Sequence, residues 1–163
     1  MEYTCSKKIN TYLANLGVWT VKLHNLHWNV VGKMFVGVHQ FTEALYNEAF
    51  ENYDSVAELL KMRDQFPLAS MREYLDVATI KEEPSRLFSC CEVAQIVEDD
   101  LNLMRDLAVE IRADAAEKDD FRVVTMFEDF IKYYDKQIWF LRAMKKEMTP
   151  AEGQAVESCG CHK

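Results

Sequence analysis

The stretch HWNVVGKMFVGVHQFTE, residues 27–43, decides the fold because it joins two long amphipathic segments through one short break. The break is bounded by Gly32 and Gly37, in a chain that has only five glycines and three prolines. His27 lies before the break and His39 lies after it. If both segments are helices, an antiparallel hairpin brings the two imidazoles to similar heights near its closed end. The stretch therefore predicts a helical hairpin that carries a histidine pair.

Hydrophobic periodicity predicts four long helices along the chain. Their expected bounds are about Ser6 to Val31, about Val38 to Arg63, Ser89 to about Ala116, and Phe121 to about Met148. Ser89 and Glu92 form a capping-box pair at the start of the third helix. The apolar positions expected in the core are Ile9, Leu13, Leu16, Leu23, Leu26, Val30, Phe41, Leu45, Ala49, Val56, Leu59, Leu60, Val93, Ile96, Val97, Leu101, Met104, Leu107, Ile111, Phe121, Val124, Phe127, Ile131, Tyr134, Ile138, Leu141 and Met144.

A long connection lies between Pro67 and Pro84, and its segment Met71–Leu75 is predicted to form a short helix. A connection of this length can cross from one end of a bundle to the other. Two helical hairpins joined by such a crossover describe a ferritin-type bundle. The predicted fold class is therefore all-α: a ferritin-like four-helix bundle with a short extra helix in the crossover between helices two and three. The domain is expected to span residues 1–148, and residues 149–163 a flexible C-terminal tail.

A second set of metal-ligand residue types lies further along the second helix. Asp54 and Glu58 form an i,i+4 pair, as do His39 and Glu43, so the members of each pair share one helix face. Fifteen residues separate His39 from Asp54, which is roughly 22 Å on one continuous helix. One chain cannot bring both pairs to the same metal. An antiparallel contact between the second helices of two subunits places His39 of one copy opposite Asp54 and Glu58 of the other, and its symmetry gives two such sites per dimer.

The ligand types indicate which metal is expected. Imidazole and carboxylate ligands with open coordination positions suit Fe(II) and its oxidation, although Zn(II) accepts the same ligands. An iron site inside one bundle would normally require Glu-x-x-His motifs on two helices, and the sequence contains none. The predicted catalytic ligands are His27, His39, Asp54 and Glu58. Glu43 is added as a further metal ligand, although i,i+4 acids are also common on solvated helix faces.

Composition limits the compartment and the partners. The formal net charge of −8 argues against a basic surface for nucleic acid and fits the attraction of cations. Five cysteines, an odd and scattered number, are a poor disulfide framework and fit a reducing compartment. The amino end lacks the regions of a secretory signal, and no apolar run approaches the length of a membrane span. We therefore expect a soluble cytoplasmic protein.

Other chemically active side chains have structural explanations. Cys90 and Cys91 lie in the predicted first turn of the third helix, where the helix dipole lowers thiol pKa, but simple packing is the favoured role. The segment Cys159-Gly160-Cys161-His162 could bind a soft metal or form a redox pair, although a disordered tail is favoured. His24 is expected to be a hydrogen-bonded structural residue, and Trp28 to pack at the interface.

The segment His24–Gly32, followed by Phe35, His39 and the segment Asp54–Glu58, resembles the signature of the Dps family. These mini-ferritins are named as DNA-binding proteins from starved cells. The similarity covers most of the chain, and its further segments are Tyr74–Leu75, Ile80–Glu82 and Ile138–Ala143.

The resemblance implies both an assembly and an activity. Family members form hollow dodecamers whose two-fold interfaces carry ferroxidase sites, and the ligands there match His27, His39, Asp54 and Glu58. Glu43 matches an additional acidic position. Family chemistry is the oxidation of Fe(II) by hydrogen peroxide or dioxygen, commonly the peroxide, followed by storage of the ferric iron mineral inside the shell. Such a protein is a ferroxidase that protects against oxidative damage.

The sequence departs from the family where DNA binding is concerned. Family members that condense DNA usually carry a flexible tail rich in Lys and Arg. Here the amino end offers only Lys7 and Lys8, and the carboxyl end only Lys163 beyond the last helix. The alternative function, a nucleoid-associated DNA-binding protein with little ferroxidase activity, requires a basic surface or tail that the sequence does not supply. DNA is therefore not an expected partner.

Overall fold

A computed structural model of the chain describes the backbone of residues 2–148 and the side chains of residues 5–146. The predicted all-α bundle is confirmed, and its short extra helix lies in the crossover. The predicted tail, with Cys159 and Cys161, lies outside the described residues. The elements in chain order are α1 (Glu2–Asn29), β1 (Val30–Val31), α2 (Phe35–Lys61), α3 (Met71–Val77), β2 (Phe88–Ser89), α4 (Cys90–Ala116) and α5 (Phe121–Met148).

The bundle consists of the two expected hairpins. α1 packs along α2, α4 packs along α5, and α1 also contacts α3 and α4. All six positions predicted for the α1 stripe are buried, which is the outcome that an apolar stripe at helical spacing predicts. Phe121 is wrong as a core residue, because its side chain is 73% exposed at the start of α5. Val123 and Phe130 are buried on this helix instead. No helix in residues 2–148 is long and apolar enough to cross a membrane.

The first hairpin turns through a short strand that the sequence did not predict. α1 ends at Asn29, two residues before the predicted Val31, and β1 continues the chain. β1 pairs in parallel with β2, so that Val30 lies opposite Phe88 and Val31 opposite Ser89. This pairing fixes the closed end of the first hairpin against the start of α4.

The two glycines of the turn have different roles. Gly32 has a φ of +131°, a conformation that L side chains rarely adopt, and a Cβ there would lie 3.2 Å from Cys90 Sγ. Gly32 is therefore required by the turn. Gly37 lies inside α2, which begins at Phe35 instead of the predicted Val38. A single helical glycine costs only about 1 kcal/mol relative to alanine, so the helix continues through it.

The capping box predicted at the start of α4 is present. Ser89 Oγ accepts a hydrogen bond from the Glu92 backbone N–H at 3.2 Å, and the Glu92 carboxylate accepts one from the Ser89 N–H at 2.7 Å. These hydrogen bonds lower the pKa of Glu92. Ser70 and Glu73 form a second capping box at the start of α3. Both helices therefore begin at a residue that satisfies their free N–H groups.

The crossover is tied to α1 by one buried side chain. Asn15 Oδ1 accepts hydrogen bonds from the backbone N–H of Thr79 at 2.7 Å and of Ile80 at 3.2 Å, and its Nδ2 donates to Thr79 Oγ1 at 2.9 Å. The segment between α3 and β2 consequently has a fixed path along the bundle.

A buried ion pair joins the two hairpins. Lys22 on α1 places its Nζ 2.9 Å and 2.8 Å from the two carboxylate oxygens of Asp100 on α4, and both side chains are more than nine-tenths buried. Burial raises the pKa of Asp100 to about 6, although the Lys22 ammonium opposes the shift. The pair holds α1 and α4 in one relative position, since leaving either charge buried alone is strongly unfavourable.

Candidate metal centre

The two predicted histidines lie against each other at the closed end of the first hairpin. The rings of His27 on α1 and His39 on α2 are stacked, with centroids 3.6 Å apart and planes 19° apart. His27 Nδ1 lies 2.9 Å from the backbone oxygen of His39, and His39 Nδ1 lies 2.9 Å from the backbone oxygen of His27. The predicted pairing of these histidines within one chain is therefore confirmed.

The reciprocal hydrogen bonds determine which ring nitrogens can bind a metal. A carbonyl oxygen only accepts, so the Nδ1 atom of each histidine carries the proton and donates. In the neutral ring, the Nε2 atom then keeps its lone pair for a metal ion. Metal-binding histidines usually have their other nitrogen held in this way. The donor set of the pair thus fits a transition metal.

Thr42 is a further member of this site, which the sequence reading missed. Its side chain is fully buried, and its Oγ1 lies 2.9 Å from the His39 backbone oxygen and 3.3 Å from His27 Nδ1. The hydroxyl therefore contacts both the donor, His27 Nδ1, and the acceptor, the His39 backbone oxygen, of one reciprocal hydrogen bond. Its spacing from His39, three residues on the same helix, was the available signal.

The carboxylate pair lies elsewhere on the same helix. Asp54 and Glu58 are exposed on α2, which is continuous from Phe35 to Lys61. Asp54 thus lies roughly 22 Å along the helix from His39, as expected from the helical rise, and Glu58 lies one turn further. Within the described part of the chain, no group of three or more His, Cys, Asp or Glu side chains is close enough to hold one metal ion. A single subunit does not bring the histidines and these carboxylates together.

Glu43 lies one turn after His39 and is exposed. Tyr46, three residues after Glu43 on α2, packs edge-on against His27 with ring centroids 5.2 Å apart. Glu43 therefore lies at the histidine end of α2, as predicted, although the sequence reading did not identify Tyr46. Trp28, which was expected to pack at an interface, is 68% exposed in the single chain.

Two other side chains have the structural roles that the sequence indicated. His24 Nδ1 donates to the backbone oxygen of Thr20 at 2.7 Å, as expected of a hydrogen-bonded residue within a helix. Cys90 is buried, and its thiol contacts the backbone oxygen of Val31 at 3.4 Å.

Comparison with known proteins shows the family to which the chain belongs. The family model described as ferritin-like domain matches residues 6–149. The chain belongs to the ferritin-like family, in its Dps group. A DNA protection during starvation protein of Brevibacillus brevis is 35% identical to this Dps chain over 135 residues, which cover 83% of the chain and 90% of the relative.

Solved structures show the same fold. The crystal structure of antigen TpF1 from Treponema pallidum has a TM-score of 0.86 and 30% identity, and the match covers 88% of this chain and 92% of that one. A Dps protein from Vibrio cholerae O1, described as a member of a broad superfamily of ferritin-like diiron-carboxylate proteins, has a TM-score of 0.83 and 26% identity, covering 88% and 89%. Membership of this superfamily supports iron binding and a role in iron storage and protection for the present Dps chain.

Proposed function

We propose that this protein is a ferroxidase that oxidises Fe(II) with hydrogen peroxide and stores the ferric product inside a hollow homo-oligomer. One observation carries the proposal. The chain brings together two imidazoles with available Nε2 atoms, yet keeps Asp54 and Glu58 exposed on the far part of the same helix. Each half therefore supplies part of a coordination shell, and a second copy completes it.

The outward face of α2 has the properties of the required contact. At about 100° per residue, Val36, Glu43, Phe50, Asp54 and Glu58 fall on one face of this helix. Val36 is 63% exposed and Phe50 is 65% exposed. Large apolar side chains exposed beside carboxylates are typical of a surface that a partner covers.

The symmetry of the contact follows from the ligand positions. If two α2 helices cross antiparallel, His39 lies opposite the partner subunit's Asp54 and Glu58 when the two-fold axis passes near Asn47, the midpoint of these positions in the sequence. The same operation generates the second site of the dimer. Glu43 lies at the histidine side of each site. By family resemblance, six such dimers form the cytoplasmic dodecamer.

The donor set suits iron in both oxidation states. Imidazole nitrogens bind Fe(II), and carboxylate oxygens favour the harder Fe(III). Two Fe(II) ions supply the two electrons that break the O–O bond of one hydrogen peroxide. Hydrolysis of the resulting Fe(III) to ferric oxyhydroxide releases protons. Consuming Fe(II) and peroxide together removes the two reactants that form hydroxyl radicals, which is the protective role.

The test is an anaerobic Fe(II) titration of the purified protein, followed by separate additions of hydrogen peroxide and of dioxygen, read by ferric absorbance. We expect saturable Fe(II) binding and faster oxidation by peroxide, in a particle whose measured mass is that of a dodecamer. Absence of saturable Fe(II) binding would contradict the proposed function. Faster oxidation by dioxygen would contradict the proposed oxidant alone.

The DNA-binding alternative is tested on the same sample. With a net charge of −8, the shell is expected to repel phosphate groups. A gel-shift assay with duplex DNA at physiological salt should show no retardation. Tight and salt-sensitive retardation would favour the alternative function.

A further inference from the structure

The two histidines of the metal centre are held by different kinds of acceptor, although their hydrogen bonds are reciprocal. The carbonyl of His27 is among the last four of α1, which ends at Asn29, so it has no partner within its own helix. The Nδ1–H of His39 donates to this carbonyl at 2.9 Å. His39 is therefore held by an acceptor that the helix leaves free.

The acceptor of His27 is already in use. His27 Nδ1–H donates at 2.9 Å to the carbonyl of His39, which lies inside α2, a helix that continues from Phe35 to Lys61. A carbonyl at this position also accepts the backbone N–H of Glu43, four residues further along the helix. His27 thus shares its acceptor with the helix. The shared bond constrains the His27 ring less, since two donors compete for one oxygen.

Thr42 supplies a second acceptor for His27. Its Oγ1 lies 3.3 Å from His27 Nδ1. The hydrogen of this hydroxyl has two carbonyl acceptors on α2, that of Val38 at 3.0 Å and that of His39 at 2.9 Å. Because the hydrogen points to one of these carbonyls, a lone pair of Oγ1 remains for the His27 N–H. His27 therefore donates to two oxygens of α2, in a three-centre hydrogen bond.

Burial prevents water from taking the place of this hydroxyl. The Thr42 side chain is 0% exposed, and His27 is 7% exposed. When a buried hydroxyl is lost, its former partner has no solvent molecule to turn to. The two oxygens of α2 together fix the orientation of the His27 ring, and with it the direction of Nε2 on the other side of the ring.

We propose that Thr42 is a positioning residue, whose hydroxyl holds the His27 ring so that Nε2 stays directed at the metal ion. The inference rests on the proposed function and deepens it. Thr42 binds no metal, and it acts through His27. Loss of such a supporting hydrogen bond commonly lowers metal affinity by about 10-fold to 100-fold. Because His27 keeps the His39 carbonyl as an acceptor, we expect the lower end of this range.

Four side chains at position 42 separate the effect of the hydroxyl from that of the methyl group. Threonine and valine have nearly the same shape and differ in the hydroxyl, and serine and alanine differ in the same way without the methyl. The assembled wild type is compared with Thr42→Val, and Thr42→Ser is compared with Thr42→Ala. Co(II), which accepts the same ligand types as Fe(II), is titrated by calorimetry without an oxidant. Fe(II) oxidation is measured separately.

Within each pair, the protein with the hydroxyl should bind Co(II) about 10-fold more tightly. Thr42→Ser should therefore keep the wild-type affinity, whereas Thr42→Val and Thr42→Ala should both lose it. KM for Fe(II) should rise by a similar factor in the two variants without the hydroxyl. Their kcat should be nearly unchanged, because a bound metal ion itself holds the His27 ring in place.

Thr20→Val is the matched control. Thr20 Oγ1 donates to the Leu16 carbonyl at 2.8 Å, so this variant loses a hydroxyl that bonds one turn back along α1, as the Thr42 hydroxyl does along α2. Thr20 lies seven residues before His27. Its Co(II) affinity should equal that of the wild type. An equal loss of affinity in Thr20→Val would overturn the role of Thr42, since loosening of either helix would then explain the effect.

Each remaining outcome decides one proposal. Wild-type Co(II) affinity in both Thr42→Val and Thr42→Ala would overturn the role of the hydroxyl. Equal weakening in Thr42→Ser and Thr42→Val would also overturn it, because the shape of the side chain would then be what matters. If a variant of one pair does not assemble, the other pair gives the same comparison. A wild-type protein that binds neither Co(II) nor Fe(II) would instead overturn the proposed function itself.

Discussion

The two ends of α2 carry ligand residues of the same proposed site in opposite states. At the amino end, His39 is packed against His27, and each ring donates to the backbone of the other. Toward the carboxyl end, Asp54 and Glu58 are exposed, and their carboxylates make no hydrogen bond or ion pair with the described residues. The histidine half is built by the folding of one hairpin, whereas in the proposed dimer the carboxylate half acquires its partners from a second chain.

This difference shows which interactions each half depends on. The histidines lie twelve residues apart in sequence and meet when α1 packs on α2, so their geometry is part of the core. The carboxylates contribute nothing to that core. Substitutions at the two ends should therefore affect oxidation equally but stability unequally.

The largest expected effect is on iron oxidation. His27→Ala and Asp54→Ala each remove one proposed ligand, and each should slow Fe(II) oxidation on the order of 100-fold or more, measured by stopped-flow absorbance. Only His27→Ala should destabilise the subunit, by about 1–3 kcal/mol, because it removes a buried, hydrogen-bonded ring. Asp54→Ala should change the free energy of unfolding by less than about 0.5 kcal/mol.

The matched control for these variants is Glu51→Ala, an exposed carboxylate one turn before Ser55 and outside the proposed site. It should oxidise Fe(II) at the wild-type rate. Wild-type rates in both His27→Ala and Asp54→Ala would remove the basis of the site assignment. Equal destabilisation by both would contradict the contrast between the two ends.

A smaller effect concerns Asp100, a carboxylate whose partner is inside the chain. Its pKa is raised from 3.8 to about 6, mainly by burial. A carboxyl group whose folded-state pKa is raised stabilises the fold fully below its unfolded pKa, and this contribution is lost as pH rises through the folded pKa. Between pH 4 and pH 6.5, the free energy of unfolding of the wild type should thus fall by about 2–3 kcal/mol relative to that of Asp100→Asn.

Urea unfolding of both proteins at the two pH values measures this difference. Asp106→Asn, at an exposed carboxylate of α4 that is not among the charges acting on Asp100, should show the pH dependence of the wild type. A difference in the free energy of unfolding between wild type and Asp100→Asn that does not vary with pH would show that the Lys22 ammonium offsets the effect of burial on the pKa of Asp100.

The smallest effect is expected just beyond the carboxylate end of α2. Asp64 has a φ of 55°, in the left-handed region that follows a helix and favours glycine. Asp64→Gly should stabilise the subunit by about 0.5 kcal/mol, and Asp64→Ala should destabilise it by about 1 kcal/mol. Iron oxidation should be unchanged in both. Thermal unfolding of the wild type and the two variants measures the order of their stabilities. An alanine variant as stable as the glycine variant would contradict the role of backbone strain.

The sequence predicted the helices because their signals are local. The apolar stripes, the capping box of Ser89 and Glu92, and the two ends of α5 each depend on residues within a few turns of one another. The parallel pairing of β1 with β2 joins segments almost sixty residues apart, so no local pattern showed it. Phe121 begins the apolar run of α5, yet at about 100° per residue it lies on the side of the helix away from the buried Val123 and Phe127.

The candidate site was predictable for a different reason. His27, His39, Asp54 and Glu58 have ligand chemistry that is visible in the residue types, and the helical rise alone separates the two pairs. Thr42 and Tyr46 have side chains that are common in cores and on helix faces. Their roles depend on how they contact His27, and only the packed hairpin defines those contacts.

The most direct test of the central claim is complementation between two inactive proteins. His27→Ala/His39→Ala retains only the carboxylate half, and Asp54→Ala/Glu58→Ala retains only the histidine half. In particles co-assembled from equal amounts, about half of the two-fold contacts are mixed, and each mixed contact contains one complete site and one empty site. Oxidation should therefore return to about one quarter of the wild-type rate per subunit. Mixed particles, verified by mass spectrometry, that oxidise no more Fe(II) than either parent would contradict sites shared between subunits.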